Sequence, residues 1–112
     1  MNTLDLIIQA IETQKPIVFE YNKEGKIQGE RKGNPHAIFI FTKKSGEQST
    51  KIHIVQTDGV SDTTPPNFPD FRTFDIEDLS LIKILEDEES FVPFYEKYNP
   101  ESEMYKDVIA KI

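Results

Sequence analysis

Cysteine and tryptophan are absent from this 112-residue chain, and only two of its residues are histidine. The missing thiols exclude a cysteine nucleophile, a disulfide framework, a zinc knuckle and an iron–sulfur centre together, and they suit a reducing compartment. No apolar run approaches the ~20 residues needed to span a bilayer, and no basic segment followed by an apolar core opens the chain. A cytoplasmic protein with no membrane partner is the expectation. The signatures GxGxxG, GxxxxGK[ST] and GxSxG are missing, as are a His-x-His or Glu-x-x-His pair and an Asp-rich calcium loop. The chain therefore does not read as an enzyme, and neither a cofactor nor a metal is expected.

What is present suits one small domain over residues 1–112, since this length buries roughly two-thirds of the surface its unfolded form exposes. Eight Phe and four Tyr supply enough aromatic surface to drive collapse. Leu4, Ile7, Ile8 and Ile11 recur at helical spacing behind Asn2 or Thr3 and ahead of Pro16, which predicts a helix over 3–13. From Pro16 the period changes to two. Ile17, Phe19 and Tyr21 start a strand, Asn22 to Gly25 carries turn residues, and Lys26 to Arg31 is expected to return as a hairpin.

Ala37 to Thr42 reads as a strand buried on both faces, Lys51 to Thr57 as another, and residues 58–70 as an irregular Pro- and Asp-rich loop. Phe71 to Phe74 resumes extended structure, and Leu79 to Leu85 is the last barrel strand, with Leu79 and Leu81 opposite Ile82 and Ile84. The tail from residue 86 carries Phe91, Phe94, Tyr95 and Tyr98, too many aromatics for a free end. Met104, Tyr105, Val108 and Ile109 stand at helical spacing behind Ser102, so the tail is expected to wrap the barrel and end in a short helix. One helix, five or six short strands and a wrapped tail define a mainly β (α+β) fold. The expected architecture is a small bent antiparallel barrel over 16–85, capped by the helix, with a packed tail over 86–112.

Charge is unevenly spread. Residues 1–51 hold eight bases and six acids, a balance of +2, while residues 52–112 hold five bases and fourteen acids, a balance of −9. The basic hairpins are either one face of a mixed, solvated surface or an anion-binding surface for a phosphate-bearing ligand. An isoelectric point near 4.8 argues against generic duplex binding but not against a local pocket. His36 and His53 have the side-chain type of an acid–base pair in a metal-independent ribonuclease, but nothing in their spacing brings them together. The run Glu86 to Glu89 reads as an exposed cluster.

The order of several short motifs resembles the WYL-domain family, in particular small stand-alone WYL-like proteins of bacteria without a helix-turn-helix. These are the helix ending Ala10-Ile11, the strand Ile17 to Tyr21, Arg31 ahead of Pro35-His36, and the turn Gln56 to Gly59. They continue with Phe71-Arg72-Thr73-Phe74, the strand through Leu85 and the tail from Tyr98 to Ile112. The resemblance covers roughly residues 4–112 and implies an Sm-like, SH3-like barrel preceded by a helix. It also implies a regulatory or ligand-sensing module that recognises nucleic acids or nucleotide-like ligands through basic residues in a groove.

Carried over by position, the ligand-binding residues are Arg31, His36 and Arg72. A guanidinium offers a planar fork to phosphate, and an imidazole can donate beside it. The plainer alternative for each is a surface residue paired with an acid, such as Arg72 with Asp70 or Asp75. Two departures stand out: the name-giving Trp-Tyr-Leu aligns with Ile52-His53-Ile54, and an expected later Arg is Asp78. The resulting expectation is a non-enzymatic module for a small anionic or nucleotide-like ligand, such as a nucleotide or a short single-stranded nucleic acid. The alternative is a protein–protein or homo-oligomeric assembly module that uses strand edges or the aromatic tail.

Overall fold

The computed structural model describes residues 2–112, and Met1 lies outside them. Helix α1 runs Thr3–Thr13. Asn2 caps it by accepting the Asp5 N–H at 2.8 Å, and Gln14 ends it in the left-handed region at φ 53°. Its apolar stripe buries Ile7, Ala10 and Ile11 against the sheet, which supplies the stability that an 11-residue helix lacks alone.

Six strands follow: β1 (Ile17–Tyr21), β2 (Glu30–Thr42), β3 (Gln48–Gly59), β4 (Asp70–Asp75), β5 (Leu79–Ile84) and β6 (Val108–Lys111). They form one antiparallel sheet in the order β4-β3-β2-β1-β5, with β6 beside β2. The fold is mainly β with one N-terminal helix, as the periodicity predicts, but the sheet is not closed into a barrel: β4 and β5 are its two ends.

Three expectations need correction. Lys26 to Arg31 is not a separate strand: residues 22–29 are loop, and Glu30–Thr42 is one strand that passes through Pro35. Its register against β3 shifts between Lys32 and Gly33 and again between Pro35 and Ala37, so the strand bends instead of breaking. Pro35 is tolerated there because it lies at an irregularity. The bend lets one edge of β2 serve two partners, β1 along 30–33 and β6 along 37–39.

The second correction concerns β5. Leu79, Ile82 and Ile84 all face the main core, while Leu81 is 74% exposed at φ 52°. Glu20 pairs with Ser80 and Val18 with Lys83, so Leu81 is the extra residue of a bulge that flips the alternation. The third concerns the tail's end. In place of a helix it forms a 3₁₀ turn over Glu103–Tyr105, with Ser102 capping Met104, and then strand β6. An unfilled length of β2 edge there outweighs a short run of helical spacing.

Two cores result. The larger joins α1 to Phe19, Tyr21, Ile38, Ile52, Ile54 and Phe74 on one side of the sheet. The smaller gathers Ala37, Phe39, Tyr98 and Tyr105, with Phe71 and Ile112 against them. Ala37, Ile38 and Phe39 therefore bury both faces of β2 as expected, whereas Phe41 and Thr42 at the end of the same run are exposed. Between β2 and β3 the backbones leave no room for a side chain at two glycines. A Cβ at Gly33 would lie 2.6 Å from Ile54 Cγ2, and one at Gly59, at φ 94°, would lie 2.3 Å from the Glu30 oxygen.

Candidate functional site

A cleft of about 510 Å³ opens where the β1–β2 loop, β3 and β4 converge with the 60–70 loop. Tyr21, Phe71 and Phe74 contribute aromatic surface, and Lys23, Lys26, Lys51 and Arg72 bring four cations to it. Asp62, Asp70 and Asp75 stand among them. Each carboxylate holds cations in place. Asp75 at the end of β4 bridges Lys23 and Lys51, one through each oxygen. Burial pushes the Asp75 carboxyl up, but the joint pull of Lys23 and Lys51 outweighs it and leaves the group below its ordinary value. Burial likewise opposes ionisation of Asp62, and the Ile27 N–H, Arg31 and Lys26 together hold that carboxyl low. Asp62 Oδ1 accepts the Ile27 N–H at 2.7 Å, which ties the long loop to the first hairpin.

Arg72 on β4 is locked by four neighbours, one of them the Thr63 hydroxyl at 3.4 Å. Its Nε donates to Asp70 at 2.8 Å and a terminal nitrogen donates to the Ser61 hydroxyl at 2.8 Å, while Asp62 lies 3.9 Å away. The Arg72–Asp70 pair foreseen as the plainer alternative is thus formed, yet the guanidinium still lines the cleft.

Arg31 is placed differently. It is fully buried behind the cleft, with its guanidinium over the Tyr21 and Phe74 rings at 5.9 and 5.8 Å. It donates to the Ile27 carbonyl at 3.1 Å, to Gln56 Oε1 at 3.3 Å and to Asp62 at 3.4 Å, while its Nε is buried without a partner. Arg31 and Arg72 therefore converge on the same Asp62 oxygen, Oδ2, at 3.4 and 3.9 Å.

His36 does not join them. Its ring is fully buried in the smaller core, stacked on Phe91 at 5.1 Å and edge-on to Tyr98 at 5.0 Å. The fold does bring the two histidines to one aromatic cluster, since both pack on Phe71. His53 is 2% exposed with Nδ1 2.6 Å from the Tyr105 hydroxyl, so neither imidazole faces open solvent where an RNA strand would lie.

Lys23, Lys26 and Lys51 were not singled out from the sequence. The signal available was the basic excess of the first half, but only the strand pairing brings Lys51 opposite Asp75. Among the described residues no group of three His, Asp or Glu has metal-site geometry, and the Glu86 to Glu89 run is exposed. No helix among them is long and apolar enough to cross a membrane. No family model, curated protein or solved structure matches the chain.

Proposed function

We propose that this chain is a non-enzymatic, WYL-like regulatory module that binds a small anionic or nucleotide-like ligand in the cleft beside Arg72. The observation that carries the reading is charge. On a chain of net charge −7, four cations and three carboxylates line this one cleft, a local excess of one positive charge with Arg31 directly behind it. The Asp62, Asp70 and Asp75 contacts hold Arg72, Lys23 and Lys51 in fixed positions, which lowers the ordering cost of binding an anion. Phe71 and Tyr21 add aromatic surface to the lining. The bent β2, with β1 and β6 sharing its edge, suits an Sm-like or SH3-like barrel that is drawn open. The cysteine-free composition suits the cytoplasm.

A thermal-shift series with nucleotides, linear and cyclic dinucleotides and short single-stranded oligonucleotides at two salt concentrations tests the reading. A ligand at about 100 times its dissociation constant stabilises the folded state by roughly 2.7 kcal/mol. The expected result is a salt-sensitive rise in melting temperature that Arg72→Ala or Lys51→Ala removes. A flat response across the series would sink it.

One observation favours the assembly alternative. β5 is an end strand of the sheet, and its bulge holds Leu81 out to solvent at that edge. Sedimentation across a concentration series distinguishes the two readings, since assembly through that edge predicts a dimer that Leu81→Asp dissolves.

A further inference from the structure

The last twenty-two residues, 91–112, lie across the smaller core as a strap, and both histidines of the chain hold it. His36 Nδ1 lies 2.7 Å from its own strand's Asn34 carbonyl, and its Nε2 accepts the Phe94 N–H of the strap at 3.0 Å. Those partners settle the tautomer. A carbonyl can only accept and an amide N–H can only donate, so the ring proton sits on Nδ1 and Nε2 is bare. The His36 carbonyl in turn accepts the Ile112 N–H at 3.1 Å. His53 Nδ1 pairs with the Tyr105 hydroxyl, and its ring packs on Phe39 and Phe71.

The groups facing these rings carry no compensating charge. Around His36 they are Phe71 from β4 and Phe91, Tyr98 and the Phe94 amide from the strap. Around His53 they are Phe39 from β2, Phe71 from β4 and Tyr105 from the strap. The titratable neighbours are the two tyrosines and the other imidazole, and the Ile112 oxygen accepts the Tyr98 hydroxyl at 2.5 Å. Burial raises both tyrosines, Tyr98 to about 12, so they stay neutral. Among the described residues neither histidine has an ion pair with an acid.

We propose that residues 91–112 are a pH-sensitive strap, closed on the sheet while His36 and His53 are neutral and released when the histidines take up protons. A second proton on His36 must go to Nε2, where it would oppose the Phe94 N–H and leave a charge inside an aromatic shell. Release uncovers the Phe39–Phe71 face and the Ala37 to Ile40 edge of β2, which β6 and the Asp107 carbonyl otherwise occupy. That edge is a template for an incoming strand.

The direction in pH follows from linkage. Burial lowers both histidines, His53 to about 4 from an ordinary value of 6.5, so the opened state binds more protons than the closed one. Closure is therefore fully favoured above about pH 6.5 and weakens as pH falls toward 4. The strap reading does not rest on ligand binding in the cleft, although Phe71 borders both.

Amide hydrogen exchange by NMR on the full chain from pH 7.5 to 5 tests it, with the imidazole ¹⁵N shifts followed in the same samples. After correction for intrinsic exchange, protection of Phe94, Val108 and Ile112 is expected to fall at least tenfold while Phe19 and Ile54 keep theirs. The fall should track proton uptake at His36 or His53. In His36→Gln, which cannot take up the proton, the residual acid loss should shrink. Parallel loss of protection in strap and core would overturn the proposal. So would a histidine that titrates in the folded protein while the strap amides stay protected, a result that needs no variant to fold.

Discussion

Arg31 and Arg72 carry the same guanidinium to the same aspartate and yet face opposite demands. Arg31 is fully buried against the adjoining Tyr21 and Phe74 rings, and divides its donors among Asp62, Gln56 and the Ile27 carbonyl. Its charge is matched, but its planar shape also fills the space. A lysine keeps the charge and loses the fork, so Arg31→Lys strands Gln56 Oε1 or the Ile27 carbonyl in a dry setting. Urea denaturation is expected to show a loss of about 2 kcal/mol. Arg72→Lys, with its side chain partly in solvent, should cost less than about 1 kcal/mol. Equal losses would mean that the buried fork has no special role. From sequence the two arginines are indistinguishable basic residues in extended runs. The difference arises because Arg31 pairs across from Gly59, with the main core on one side and the long loop on the other.

Irregular elements did most to separate the fold from its periodic reading. The helix is a local matter, set by the apolar spacing and Pro16: its bounds 3–13 match the structure, and of the two cap candidates, Asn2 and Thr3, the structure uses Asn2. In β5 the alternation fails because a bulge inserts Leu81 between paired neighbours. A leucine in the left-handed region is strained by about 1–2 kcal/mol, and at 74% exposure it gains nothing from burial to offset this. Leu81→Gly removes that strain and loses part of the gain to the greater freedom of the unfolded chain. The expected result is a melting temperature unchanged or raised by a few degrees, read by circular dichroism. A fall beyond about 1 kcal/mol would mean that Leu81 makes a stabilising contact, as an oligomer would supply. In the tail, a long-range pairing partner overrides a locally plausible helix, since β6 fills an edge of β2 that would otherwise leave backbone groups unmet.

Across the molecule the lopsided charge of the chain is resolved internally. The basic first half and the acidic second half meet in Lys23–Asp75, Lys51–Asp75, Arg31–Asp62 and Lys32–Glu88. The cleft is where this meeting leaves positive charge in excess. Near pH 4.8 the net charge vanishes, inside the interval where the buried histidines take up protons. Loss of mutual repulsion and exposure of the β2 edge then act together. A solubility minimum near pH 4.8 is expected by light scattering, and a second titration at high salt, which screens the repulsion on either side, should make it shallower; clear solutions throughout would count against both effects.

Composition and short-range pattern settled the mainly β class, the capped helix, the strand buried on both faces and the packed aromatic tail. These follow from spacing along a few neighbouring residues, where helix and strand geometry leave little choice. The open sheet, the merged β2, the bulge at Leu81 and the terminal strand depended on which distant backbone groups found each other. So did the separation of Arg31 and Arg72 from His36. Register sends a side chain to one face or the other, and a shift of one residue reverses the outcome. Residue type alone does not carry that information.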